Sequence, residues 1–170
     1  MEGDFAEKLR SSDREAFMTA FSEVSGELYR VAYIYVRNSE DARDAVQETA
    51  YRCFRGIGKL KSPEYFRTWA VKTAINCSLD ILRKNSRTVS LDEKTDMPTE
   101  APSPENAAVA SALLERLMQA LNEREKSAVV LRHICGLSLE ETAKELKIPL
   151  GTAKTVLYRA MNKLRKECSE

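Results

Sequence analysis

The stretch Ser138-Leu139-Glu140-Glu141-Thr142-Ala143-Lys144-Glu145-Leu146-Lys147-Ile148-Pro149-Leu150-Gly151-Thr152-Ala153-Lys154-Thr155-Val156-Leu157-Tyr158-Arg159 decides how this 170-residue chain is read. Ser138 and Glu141, three residues apart, form a capping box, the reciprocal pairing that closes a helix start. The box predicts a short helix over 139–146. Lys147-Ile148-Pro149 leaves room only for a tight connection, and a longer helix follows from about Leu150 to Lys166, packing through Ala153, Val156 or Leu157, Ala160 and Leu164. A short capped helix, a three-residue turn and a longer basic helix make a helix-turn-helix pattern. Ala143 falls where the two helices cross, and a side chain larger than methyl would push them apart. Leu139, Leu146, Ile148 and Val156 supply a small core that fixes the angle. The outward side of the longer helix then presents Thr152, Lys154, Thr155, Tyr158 and Arg159, with Lys163 one turn further on. Residues 151–166 hold five basic side chains and no acidic one, and Gly151 and Thr152 leave backbone amides for a phosphate. Such side chains reach phosphates and guanine edges. A plain helical hairpin with a solvated basic face has the same spacing, so the residues alone leave both readings open.

Toward the N-terminus, Asn122 with Glu125 caps another helix that stops at Gly136. Ser103-Pro104 opens one more, lined by Val109, Leu113, Leu117 and Leu121. Residues 88–107 differ in composition: they contain Pro98, Pro102 and Pro104, five acidic side chains and one basic, with few large apolar residues. That reads as an extended flexible linker, and a linker this long joins two domains more naturally than it sits inside one. Before it, Ser12 and Glu15 form a capping box ahead of Phe17, Phe21, Val24, Leu28, Val31 and Tyr35, one helix face with a break left open at Gly26. Asn38-Ser39 ends that helix and caps the next, with Glu40 and Asp41 at its positive end. The second helix packs through Ala42, Ala45, Val46, Thr49 and Cys53, and turns Asp44, Gln47, Glu48, Tyr51 and Arg52 outward. Gly56 and Gly58 interrupt the pattern, and Ser62-Pro63 restarts it. The third helix packs through Phe66, Trp69, Ala70, Thr73, Cys77 and Ile81 and runs out near Arg83-Lys84. No alternating strand pattern stands out. The expected fold is all-α: a three- to four-helix lobe over 1–87, the linker over 88–107, and a four-helix lobe with the helix-turn-helix over 108–170.

The overall charge of +1 hides an uneven distribution. Residues 1–51 carry −5, 52–87 carry +7, 88–107 carry −4 and 108–170 carry +3. Two basic zones separated by an acidic strip suit a protein that touches a polyanion at two places, although ordinary solvated helix faces give the same sums. Hydrophobic residues make up 43% and charged residues 31%, enough apolar material for folded cores. No apolar run approaches the roughly 20 residues that span a bilayer. The acidic N-terminus lacks a signal-peptide layout, so a cytoplasmic protein is expected. Cys53, Cys77, Cys135 and Cys168 lie far apart without C-x-x-C spacing, which argues for buried thiols in at least the first three. His133, the lone histidine, reads as structural. Nothing resembles a catalytic set, a phosphate-binding glycine loop or a metal cluster, so no enzyme activity, cofactor or small-molecule substrate is expected.

Leu121-Asn122-Glu123-Arg124-Glu125, then Gly136 through Ala143, then Gly151 through Ala160 resemble the C-terminal promoter-binding domain of the bacterial extracytoplasmic-function (group IV) RNA polymerase sigma factors. Response-regulator DNA-binding domains could share that likeness, but the N-terminal half separates the two. Ser39 through Thr49 is similar to the polymerase-binding helix of these sigma factors. Phe66-Arg67-Thr68-Trp69 through Ala74-Ile75-Asn76, and on to Asp80-Ile81-Leu82-Arg83-Lys84, resembles their segment for reading and melting the −10 element. The resemblance makes the first lobe sigma region 2 and the last sigma region 4.

It implies that Asp44, Gln47, Glu48 and Tyr51 face the clamp helices of the largest subunit of the polymerase core, and an acidic, amide-bearing face suits a basic partner. It also places Lys59, Lys61, Arg67, Lys72, Asn76, Arg83 and Lys84 near −10 DNA, and Thr152, Lys154, Thr155, Tyr158, Arg159 and Lys163 near the −35 element. Asn76 could contact a base or serve as a structural hydrogen-bonder. Trp69 falls on the packing stripe and reads as a core anchor, whereas Tyr65 is less committed. Where housekeeping sigma factors carry a tryptophan pair for melting, this chain has Val71 and Lys72, implying weak intrinsic melting and strict promoter choice. The resemblance further implies control by an anti-sigma factor, often membrane-anchored, that holds the chain near the membrane. A free-standing helix-turn-helix regulator and a helical adaptor are the competing readings. The regulator would bind duplex DNA unaided, and the adaptor would need no helix-turn-helix.

Overall fold

The computed structural model describes residues 13–88 and 105–169, and the described residues are helical with no strand. The chain divides into two compact units, Met1–Thr99 and Glu100–Glu170. The expected linker falls mainly on residues 89–104, outside the described ones, while its edges at Thr88 and Glu105 belong to helices.

In the first unit, helix α1 (Arg14–Val36) starts one residue later than expected. Asp13, not Ser12, is the cap, and its carboxylate accepts a 2.9 Å bond from the Ala16 amide. A charged cap at this position also meets the positive end of the helix dipole. Ser12 itself lies outside the described residues. No break occurs at Gly26, which is exposed on a continuous helix. A helical glycine costs only about 1 kcal/mol. The buried Phe21, Val24, Leu28 and Val31 outweigh it, each contributing roughly 1.5–3 kcal/mol.

Arg37, left-handed at φ 62°, closes α1 by donating its amide to the Tyr33 carbonyl. The Asn38 side chain then accepts a 2.8 Å bond from the Asp41 amide and begins α2 (Ser39–Gly56). That helix buries Ala42, Ala45, Thr49 and Cys53, small side chains that let its neighbours approach closely, and leaves Val46 half-buried.

Two 3-10 turns, Ile57–Lys59 and Pro63–Tyr65, lead into α3 (Phe66–Thr88), and the first of them buries Ile57 completely. The third helix runs about a turn beyond its expected end at Arg83-Lys84. Asn85 is the reason: it donates a 3.0 Å bond to Asp41 Oδ2 and stitches the last turn of α3 to the first turn of α2. A β-carbon at Gly56 would sit 3.0 Å from Trp69 Cζ2, so the indole packs on bare backbone. Its other neighbour is Phe66, with ring centroids 6.2 Å apart, and the half-buried Trp69 is therefore the core anchor its position on the stripe predicts. Phe17 gathers Phe21, Phe54 and Phe66 around it, at centroid distances of 5.6, 5.2 and 6.0 Å.

In the second unit, α4 (Glu105–Gln119) departs from the expected stripe. Ser103-Pro104 and the Val109 side chain lie outside the described set, Leu113 is 48% exposed and Leu117 half-buried, and Met118 joins Leu121 in the core. A stripe read at uniform steps of four drifts round a helix of 3.6 residues per turn, which is why the outer positions miss. Helix α5 (Glu123–Val129) carries the predicted Asn122–Glu125 capping box. It continues as a π-helical turn, Val130–Ile134, which the sequence did not announce, and Gly136 at φ 70° ends it.

Helix α6 (Leu139–Glu145) has the Ser138–Glu141 box, and α7 (Leu150–Ser169) runs past Lys166. Ala143 is buried, as are Ala153, Leu157 and Ala160, so Leu157 rather than Val156 takes the deeper site. Leu139, Leu146, Ile148 and Val156 are each half-buried. Between the two helices the Ile148 amide bonds the Ala143 carbonyl at 3.0 Å and the Lys147 amide bonds the Lys144 carbonyl at 3.2 Å, a Schellman closure. Its left-handed residue is Lys147 at φ 54°, where an L side chain costs about 1 kcal/mol or more. Lys147→Gly should therefore stabilise the second unit by roughly 0.5–1 kcal/mol, seen as a higher urea midpoint by circular dichroism. A lower midpoint would mean that the lysine stem contributes packing the backbone argument ignores.

Candidate nucleic-acid interface

The outer face of α7 is built as the sequence suggested for five of its six candidates. Thr152, Lys154, Thr155, Tyr158 and Arg159 are all exposed, and Tyr158 is the most open of the exposed large hydrophobics at 67%. Thr155 donates its hydroxyl back to the Gly151 carbonyl at 3.1 Å, which leaves its oxygen facing outward only as an acceptor. The Ala153 amide bonds the Pro149 carbonyl at 3.0 Å and closes the first turn.

Lys163 is different. Its ammonium lies 2.8 Å from Glu125 Oε2, and Glu125 is 95% buried, so this cation ties α7 to the start of α5. Glu125 serves two ends at once, since the same carboxylate oxygen accepts the Asn122 amide of its own capping box at 3.0 Å. Burial works to raise its pKa. The hydrogen bonds from Lys163 and the Asn122 amide, with the charges of Lys163 and Arg159, outweigh that penalty and hold the carboxyl below the usual range. Nothing in the sequence pairs residues 38 positions apart; only the packing of α5 against α7 does. One turn further along α7, Arg116 and Glu167 approach to 3.8 Å.

In the first unit, Asp44, Gln47, Glu48 and Tyr51 share one exposed face of α2. Arg55 lies 5.5 Å from the Tyr51 ring centroid and donates to its hydroxyl at 3.1 Å, holding the phenol in place. Lys59, Lys61, Asn76, Arg83 and Lys84 are exposed, and Lys72 is half-buried. Asn76 makes no hydrogen bond among the described residues. Arg67 donates two bonds to Glu27, at 2.9 and 2.7 Å, and so links α3 to α1 as well as facing outward. A cleft of about 390 Å³ is lined by Asp80, Arg83, Lys84 and Arg87. Val71 is fully buried, so of the pair set against the housekeeping tryptophans only Lys72 reaches the surface. Tyr65 is 55% exposed beside the 3-10 turn.

Cys53, Cys77 and Cys135 are buried and Cys168 is exposed. Burial pushes the Cys53 thiol up to about 11 and raises Cys77 as well, so both stay protonated. His133 is exposed. Among the described residues no His, Cys, Asp or Glu group is arranged to hold a metal ion, and no helix is long and apolar enough to cross a membrane.

A helical lobe with one acidic and one basic face, together with a helix-turn-helix lobe, defines a class. Residues 20–88 match the family described as Sigma-70 region 2, and residues 117–166 match Sigma-70, region 4. The chain is 30% identical over 156 residues to the ECF RNA polymerase sigma factor SigM of Mycobacterium tuberculosis, covering 91% of this chain and 78% of that one. It is 29% identical over 158 residues to the RNA polymerase sigma factor SigV of Bacillus subtilis, covering 93% and 94%. Its fold is that of the sigma factor RpoE solved with the anti-sigma factor NepR from Bartonella quintana, at a TM-score of 0.67 and 20% identity over 90% of this chain and 96% of that one. The chain belongs to the extracytoplasmic-function RNA polymerase sigma factors. It is accordingly a promoter-specificity subunit acting with RNA polymerase core on promoter DNA, a non-enzymatic initiation factor rather than a free-standing regulator.

The pairing of half-exposed Lys163 with buried Glu125 predicts a pH signature. Lys163→Met should destabilise the second unit by about 1–3 kcal/mol at neutral pH, because Glu125 keeps its charge and loses its cation. A depressed carboxyl contributes stability above its ordinary pKa of about 4.3 and loses it as the pH falls through the lowered value. Urea titrations of wild type and variant should therefore converge as the pH falls below the ordinary carboxyl range. A gap that persists there would assign the loss to the lysine stem rather than to its charge.

Proposed function

We propose that the α2 face of Asp44, Gln47, Glu48 and Tyr51 docks on the clamp helices of the polymerase largest subunit. In this reading the basic surface of α3 and the turns before it holds the −10 element. Lys59, Lys61, Lys72, Arg83 and Lys84 bind its phosphates, Asn76 meets a base edge, and Arg67 joins them while anchored to Glu27. Thr152, Lys154, Thr155, Tyr158 and Arg159 read the −35 element from the major groove. Lys163 acts from behind, setting the angle of α7 through Glu125. The observation that carries this reading is the segregation of the two exposed faces, carboxylates and an amide on α2 against cations on α3 and α7, in a chain whose family partners are known.

The functional boundaries proposed are 1–87 for region 2, 88–107 for a linker and 108–170 for region 4. An anti-sigma factor restrains the protein by covering these faces, as NepR accompanies RpoE in the solved relative. Polymerase and chromosome place the work in the cytoplasm, near the membrane where the inhibitor is anchored there.

Run-off transcription with purified core polymerase on a pool of promoter fragments should give selective transcripts only when this protein is added. Tight duplex binding without core, and no transcripts, would favour an independent regulator. Reversing Lys154 and Arg159 to glutamate should abolish −35 dependent transcripts and leave core binding intact; loss of both together would overturn the map. In salt titrations of holoenzyme binding to promoter, Lys154→Ala should lower the log–log slope by about 1, the signature of one lost phosphate contact. Lys163→Ala should weaken binding with the slope unchanged.

A further inference from the structure

An alternating chain of charges crosses from α2 to α3 between the two proposed faces. Glu48 Oε1 accepts from Arg52 Nε at 2.6 Å, and Arg52 Nη1 donates to Asp80 Oδ2 at 3.0 Å. The other oxygen of that carboxylate, Asp80 Oδ1, accepts from Arg83 Nη1 at 3.1 Å. The first member, Glu48, stands on the acidic face of α2. The last, Arg83, lines the cleft it shares with Asp80, Lys84 and Arg87. Arg52 and Asp80, in the middle, belong to neither face as assigned above.

We propose that Arg52 and Asp80 are positioning residues that couple the two faces, so that polymerase docking on Glu48 and phosphate binding at Arg83 favour each other. In the free protein Arg52 is divided between two carboxylates and Asp80 between two guanidinium groups. A cation of the polymerase arriving at Glu48 neutralises it and leaves Arg52 to Asp80 alone. Asp80, better neutralised, then holds Arg83 less firmly and repels an incoming phosphate less in the cleft it lines. Binding free energies are reciprocal, so DNA at Arg83 strengthens docking at Glu48 by the same factor. The side chains of Arg52, Glu48, Asp80 and Arg83 are 42%, 45%, 47% and 63% exposed, and water screens them. The coupling is accordingly about two- to fivefold, a bias rather than a switch.

The inference rests on the reading that Glu48 faces polymerase and Arg83 faces DNA, and the test separates the two. The affinity of the full-length chain for purified core is measured by fluorescence anisotropy, with and without a saturating promoter fragment recovered from the run-off assay, and the ratio reports the coupling. Wild type is compared with Arg52→Gln, Asp80→Asn, the double variant and the charge-keeping Arg52→Lys, each checked for folding by circular dichroism. The ratio should fall about two- to fivefold in either single variant and no further in the double, with Arg52→Lys recovering part of it. An unchanged ratio, or single losses that add in the double variant, would overturn the relay and leave the interface assignment standing. Failure of the wild-type chain to bind core would overturn both.

Discussion

A helix in a bundle this small has one apolar stripe to bury, roughly 100° wide, and every charge must find a place on what remains. In the first unit α1 gives its stripe to Leu28 and Val31, α2 to Ala42, Ala45 and Cys53, and α3 to Ala70, Val71 and Ala74, all at or near complete burial. The rest of each helix is open to partners. That constraint places Asp44, Gln47 and Glu48 together, because positions three and four apart on α2 lie opposite the small residues it packs with. It also decides against Val71 as a DNA contact: the core claims it, and the neighbouring Lys72 is left at the margin.

The cations fall into two physical classes that composition does not distinguish. Lys154 and Arg159 extend from α7 and are exposed to whatever lies beyond it. Lys163, Arg52 and Arg67 reach across to carboxylates on other parts of the fold or on their own helix, and fix how helices sit against one another. Of these pairs, the solvent-exposed ones contribute little to stability, whereas the one that ends on the buried Glu125 is strongly favoured over leaving that carboxylate alone. A protein that binds DNA thus uses part of its basic charge to hold its own helices in the orientation that binding needs.

Backbone geometry works at the joints in the same way. Gly56 is bare where the Trp69 ring lies, and Lys147 takes a left-handed conformation that glycine would adopt more easily, in the connection that sets α6 against α7. Asn85 and Asn38 both bond Asp41 Oδ2, at 3.0 and 2.8 Å, so the cap of α2 also secures the end of α3. Two of these joints, Gly56 with Trp69 and Asn85 with Asp41, bring together residues from different elements, and the other two are local.

The sequence by itself determined whatever depends on local order. The capping boxes at Asn122 and Ser138, the cap at Asn38, the stop at Gly136 and the outward faces of α2 and α7 all follow from residue type and helical period, and the structure has each of them. Even local signals slipped where two neighbours could do the same work, as Asp13 took the place of Ser12 as cap. The stripe of α4 slipped as well, because steps of four overrun the turn of the helix. Only the tertiary structure decided which cations are tied to another helix. Lys163 and Lys154 look alike on one basic helix, and so do Arg67 and Arg83 on α3, where Arg83 pairs instead with Asp80 of its own helix. What separates them is a carboxylate brought close from another helix, Glu125 or Glu27, by apolar packing that is non-directional in sequence and specific only in space.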